Sequence, residues 1–111
     1  MKTRIAQDAD GSSRYLLFWC PGCDQPHGPR VEGPDDPQPP TRKPKWTWNG
    51  DRERPTLHPS ILVHISDTEK CHSFVKDGQI QFLSDSYHHL AGQTVPIPEW
   101  PKPNWAGLTD D

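Results

Sequence analysis

No stretch of this chain approaches eighteen consecutive apolar residues, and its opening MKTRIAQDADGS has no apolar core of the kind a secretory signal carries. The first absence argues against a membrane-spanning helix and the second against export, so a cytoplasmic protein is expected. Apolar residues are scarce throughout, 31% of 111 residues against roughly 45–50% in ordinary globular chains. One thin core, and therefore one domain over 1–111, is what this composition supports. Charge of one sign is lacking as well: 12 Lys and Arg are interspersed with 15 Asp and Glu for a net −3, which leaves no basic stripe and argues against a nucleic-acid partner.

Proline, by contrast, is abundant. Ten of the 14 prolines fall between Pro21 and Pro59, where fixed φ and missing N–H groups disfavour helix and central strand. Residues 28–45, GPRVEGPDDPQPPTRKPK, show no hydrophobic period and read as an exposed Pro/Gly-rich loop. Residues 95–111 read as an extended C-terminal tail with its tryptophans tucked in. Trp46, Trp48, Trp100 and Trp105 lie among these loops, and each can bury about 200 Å², enough to offset the missing aliphatics.

Strand signals frame the loops. Tyr15–Trp19 is a short apolar run that stops at Cys20-Pro21-Gly22-Cys23. Lys45–Trp48 alternates and meets Asn49-Gly50, a strong hairpin signal. Ser60–Ser66 alternates too, with Ile61, Val63 and Ile65 on one side and Ser60, Leu62 and His64 on the other. CHSFVKDGQIQFLS, residues 71–84, predicts a hairpin about Asp77-Gly78 that pairs Lys76 with Gln79 and Ser73 with Phe82. The two-residue period then places Cys71, Ser73, Val75, Ile80 and Phe82 on one face and His72, Phe74 and Leu83 on the other. Asp85 at an N-cap and Gly92 after the last turn predict a short helix near 85–91. The expected fold is mostly β, a small α+β domain of antiparallel hairpins stapled by a zinc knuckle, with one short helix in the C-terminal third.

Cysteine is few and odd in number, three in all. In a reducing compartment a C-x-x-C pair plus one distant thiol reads as metal ligands before disulfides. Cys20 and Cys23 supply two thiolates from one turn, Cys71 a third, and His27, four residues past Cys23, is the favoured fourth, with His72 and His88 as alternatives. A redox pair, or two cysteines without special function, is the plainer alternative. Structural zinc is preferred to catalytic zinc, since it contributes roughly 10–16 kcal/mol in small zinc domains, as much as a whole domain's stability.

Ser60, His72 and Asp85 can meet at one end of the sheet these strands would form, which suits a hydroxyl nucleophile, an imidazole base and a carboxylate that orients the base. The same three residues equally suit a turn cap, a backbone hydrogen bond and a helix cap. His64 and His89 read as solvated or packing residues.

The runs PTLHPSI, CHSFVKDGQIQFLSD and HHLAGQTVPIPEW resemble a family of small phage and prophage zinc-containing proteins, often labelled ammonia monooxygenase although no copper or di-iron oxygenase site is present here. More distantly, the chain is similar to the peptidase component of bacterial ubiquitin-like conjugation operons. The resemblance implies Ser60 as nucleophile, His72 as its base, and Cys20, Cys23 and Cys71 as metal cysteines. It also implies a bacterial host cytoplasm for a phage-encoded copy. The expected function is a serine-type peptidase or hydrolase acting on a protein or peptide, such as a ubiquitin-like modifier, on a structural-zinc scaffold. Two rivals stand beside it: a non-catalytic, zinc-stabilised module that binds a host protein through exposed Trp and Pro segments, and a zinc-dependent hydrolase with water in the fourth position.

Overall fold

A computed structural model describes residues 2–9, 13–32 and 45–101 of the chain. Its organising feature is the predicted hairpin. Asp77 and Gly78 take φ of 52° and 78°, the left-handed pair that a type I′ turn requires. Around them β7 (Lys70–Lys76) and β8 (Gln79–Phe82) pair in the register read from the sequence, Lys76 with Gln79 through Ser73 with Phe82. Cys71, Ser73, Val75, Ile80 and Phe82 are buried, while Phe74 is exposed and His72 and Leu83 are half-buried.

Among the described residues, the other strands add to this pair in a single nine-stranded sheet. β1 (Thr3–Gln7) and β2 (Arg14–Cys20) pair antiparallel at one end, and β3 (Gln25–His27) folds back onto β2. The path continues through β4 (Arg30–Glu32), β5 (Trp46–Trp48), β6 (Leu57–His64), β7 and β8 to β9 (Thr94–Pro96). The sheet curls so that the inner faces of β2, β4, β6, β7 and β8 meet in one core, centred on Leu16, Phe18, Val31, Leu57, Ile80 and Phe82. Trp19 packs edge-on against Trp100, centroids 5.7 Å apart, and both are buried, whereas Trp46 and Trp48 are half-buried.

Four expectations change. The loop set at 28–45 begins with a strand: β4 pairs antiparallel with β2 and parallel with β5, and Val31 is buried in the core; residues 33–44 lie outside the described residues. The tail set at 95–111 starts inside β9 and buries Ile97; Trp100 is tucked in as expected, while residues 102–111, Trp105 among them, lie outside the described residues. Asn49-Gly50 opens a longer connection rather than a tight hairpin. The Asn49 carboxamide oxygen accepts from the amides of Asp51 and Thr56 at 3.2 and 3.1 Å, and β5 resumes pairing with β6 only at Trp48 opposite Leu57. The short helix at 85–91 is replaced by consecutive turns. Tyr87 N–H donates to the Lys70 carbonyl at 2.9 Å, and Ser86 and Ala91 donate only three residues back, so no i−4 ladder starts. No helix occurs among the described residues, hence none long and apolar enough to cross a membrane.

Candidate active site and metal centre

β6 carries the irregularity that makes the site. Its pairing with β7 jumps from Leu57 opposite Val75 to Ile61 opposite Ser73, so His58, Pro59 and Ser60 together face Phe74 alone. Pro59, with no N–H to give to a ladder, suits such a bulge, and the His58–Pro59 bond is cis. The Trp46 indole N–H donates to the Ser60 carbonyl at 3.1 Å and fixes the backbone there. Beyond the bulge the predicted alternation holds, with Ile61 buried and Leu62 and His64 exposed.

Ser60 thereby reaches His72 across the strand pair. Its Oγ lies 3.1 Å from His72 Nε2, and His72 Nδ1 lies 3.2 Å from Asp85 Oδ2. With Nδ1–H donating to the carboxylate, Nε2 is free to accept from the Ser60 hydroxyl, the tautomer a general base needs. The His72 hydrogen bond, helped by Lys70 Nζ at 3.3 Å, holds the Asp85 carboxyl below its usual range. Ser86 secures the His72 backbone: the His72 amide donates to Ser86 Oγ at 3.0 Å, and that hydroxyl donates to the His72 carbonyl at 2.9 Å. The three residues expected to meet therefore do so. No motif marks Lys70 or Ser86, and the sequence predicts only packing for Trp46; the register and the turn after β8 bring all three in. His58, His64 and His89 are exposed, and none of them hydrogen-bonds Ser60 or Asp85.

The second cluster lies on the other face of β7. Cys20, Cys23, His27 and Cys71 bring one donor atom each within 4.8 Å of one another. Cys20 ends β2, Cys23 lies in the turn after it, His27 ends β3 and Cys71 sits on β7. The thiols are free, with the Cys20 and Cys71 sulfurs 4.0 Å apart. The Cys71 thiol beside it draws Cys20 down to about 4 against the opposing push of burial. That same hydrogen bond, then burial, push Cys71 far up, and burial raises Cys23. A Cys23 sulfur facing the phenol pushes Tyr87 up to about 12. A thiolate crowded by the buried Cys71 thiol and the half-buried Cys23 thiol invites a divalent cation, which would displace their protons. His27 lies beside the Cys20 thiol and helps draw it down, and its Nε2 is buried with no hydrogen bond of ordinary geometry, an arrangement that a bound cation would relieve. Three thiols and a buried imidazole nitrogen thus fit a tetrahedral zinc ion. Gly22, between Cys20 and Cys23, has no left-handed φ; its place in the turn is set by space. A Cβ there would run into the His88 ring.

Neither the curated proteins nor the solved structures offer a match. The family model for the bacterial ubiquitination-like system serine protease (BubE) matches residues 1–83, a span that includes Ser60, His72 and all four members of the thiol–imidazole cluster and ends just before Asp85. It agrees with the peptidase side of the resemblance drawn from the sequence. With residues 1–83 of 111 inside the match, the chain belongs to the BubE family of bacterial ubiquitination-like system serine proteases.

Proposed function

We propose that this chain is a serine-type peptidase in which Ser60 is the nucleophile, His72 the general base and Asp85 the carboxylate that orients it. The observation that carries the reading is one imidazole with both nitrogens engaged, Nε2 by Ser60 Oγ at 3.1 Å and Nδ1 by Asp85 at 3.2 Å. Asp85 lies outside the span the family match covers, so the geometry there supports the reading independently. In the reaction, Ser60 Oγ attacks the scissile carbonyl carbon as its proton passes to His72 Nε2. The C–N bond breaks and His72 returns that proton to the leaving amine. A water, deprotonated in turn by His72, then hydrolyses the acyl-serine. Asp85 keeps Nε2 facing the nucleophile throughout and stabilises the transient imidazolium.

A polypeptide substrate is favoured by the surface around this array. The exposed large hydrophobic residues among those described are Leu62, Phe74 and Tyr87. Leu62 pairs with His72, Phe74 faces the bulge, and Tyr87 hydrogen-bonds β7 at Lys70. A groove of about 270 Å³, lined by Leu57, His58, Phe74, Val75, Lys76 and Gln81, adjoins the bulge. The ubiquitination-like system in the family's name makes a ubiquitin-like modifier, or a conjugate of one, the proposed substrate. Zinc held by Cys20, Cys23, His27 and Cys71 would crosslink β2, β3 and β7. Four protein donors suit a closed structural site rather than one with a water-filled fourth position.

A fluorophosphonate that acylates activated serines tests the assignment. Labelling of the wild-type chain and none of Ser60→Ala, at equal metal content, is the expected result. Labelling that persists in Ser60→Ala would remove Ser60 from the role.

A further inference from the structure

His88 lies against the thiol–imidazole cluster without being one of its four members. Its Nε2 is 3.3 Å from Cys71 Sγ, and its Nδ1 accepts the Leu90 backbone N–H at 3.2 Å. The second bond decides the chemistry of the first. A nitrogen that accepts a backbone N–H has its lone pair directed there, so in the neutral ring the proton sits on Nε2. A protonated Nε2 cannot ligate a metal, and among the described residues it has Cys71 Sγ to donate to.

The ring has little freedom to do otherwise. It stands edge-on to Phe82 at 4.5 Å and to Tyr87 at 5.3 Å between centroids, and it fills the place where any side chain at position 22 would be. Gly22 lies between the two cysteines of the knuckle, so its missing side chain is what lets the ring come down beside the cluster.

We propose that His88 is a positioning residue of the metal centre, donating Nε2–H to the Cys71 thiolate and not itself binding the ion. This rests on the reading of Cys20, Cys23, His27 and Cys71 as the ligand set. Three thiolates around a dication leave the centre with a net negative charge, and a donor to one sulfur draws off part of it, fixes that sulfur's lone pairs and holds the ligand in place. Outer partners of this kind are worth about 10–100-fold in metal affinity.

Two variants of the full chain separate the donor from the ring. His88→Phe keeps an aromatic ring above Gly22 and removes the donor; His88→Gln keeps a donor at similar reach. In cobalt-loaded protein, His88→Phe should shift the sulfur-to-cobalt charge-transfer band to longer wavelength and weaken metal binding by about 10–100-fold, while His88→Gln stays near wild type on both counts. The ligand-field bands should keep their tetrahedral intensity in all three. A charge-transfer band and affinity unmoved in His88→Phe would overturn the proposal, as would ligand-field bands showing a lost nitrogen ligand. Nitrogen NMR of zinc-loaded wild-type protein needs no variant: His88 should show a protonated Nε2 and a bare Nδ1. A bare, metal-shifted Nε2 refutes the assignment even if His88→Phe fails to fold. Failure of the wild-type chain to take up any metal would refute both the ligand set and the role built on it.

Discussion

Cys71 and His72 are neighbours on one strand, yet they belong to two different centres on opposite faces of the sheet. The Cys71 sulfur lies in the core 4.0 Å from that of Cys20, while the His72 ring lies on the outer face 3.1 Å from Ser60 Oγ. The turn after β8 grips both. Asp85 bonds the His72 ring, Ser86 its backbone, Tyr87 the Lys70 carbonyl and His88 the Cys71 sulfur. Four consecutive residues are thus fastened to three, and whatever holds Cys71 also holds His72, the proposed base.

Metal removal should therefore abolish both fold and activity. A chelator under reducing conditions, or Cys71→Ser, takes away a site worth roughly 10–16 kcal/mol in comparable small domains, against a total stability of about 5–15 kcal/mol. Circular dichroism should show a collapsed thermal transition, with elemental analysis confirming loss of zinc. A stripped chain that keeps its transition and its fluorophosphonate labelling would contradict the structural role.

Asp85→Asn should leave the fold intact and slow acylation. The amide cannot accept and hold Nδ1–H as the carboxylate does, so the tautomer that frees Nε2 is lost. In a buried triad this costs about 10⁴ in kcat; here the Asp85 side chain is 40% exposed, and about 10²–10³ is expected with little change in KM. Turnover equal to wild type would reduce Asp85 to a bystander.

The acid side of the pH profile follows from the same pair. Asp85 is held below the ordinary 3.8, first by the His72 hydrogen bond and then by Lys70. A depressed folded-state value means that the pair contributes stability above the ordinary value and loses it as pH falls through the lower folded one. The loss thus belongs below about pH 3.8. Carboxyl-carbon NMR titration of Asp85 should show its midpoint rising toward the ordinary value in His72→Ala, with a smaller rise in Lys70→Met. An unmoved midpoint in His72→Ala would show that the hydrogen bond is not its cause.

Much of this was legible because it follows from the two-residue strand period and one turn. Asp77-Gly78 sets the register, the register separates Cys71 from His72, and that separation puts Cys71 with the thiol–imidazole cluster and His72 beside Ser60. The cluster of Cys20, Cys23, His27 and Cys71 was legible from ligand chemistry and spacing. What was hidden is what tertiary contact decides. Asp85 and Gly92 carry good helix-capping chemistry, but Asp85 spends its carboxylate on His72 and Lys70, and the Tyr87 amide goes to β7. Val31 sits in a proline-rich run whose composition masks a strand that forms only between β2 and β5. The bulge that aims Ser60 is likewise a property of the β6–β7 pairing, which no local pattern in PTLHPSI reveals.

Phe74 offers the sharpest separation of substrate binding from chemistry. It faces the bulge, is 41% exposed and lines the adjoining groove, yet it bonds neither His72 nor Asp85. Its burial by substrate would recover apolar area at about 25 cal/mol per Å², so Phe74→Ser should raise KM for a protein substrate by about tenfold, equivalent to 1.4 kcal/mol at the ordinary conversion. A small fluorophosphonate does not need that surface and should label the variant at the wild-type rate. Slowed labelling would mean that Phe74 supports the Ser60–His72 geometry instead. An unchanged KM would place the polypeptide on another side of the bulge.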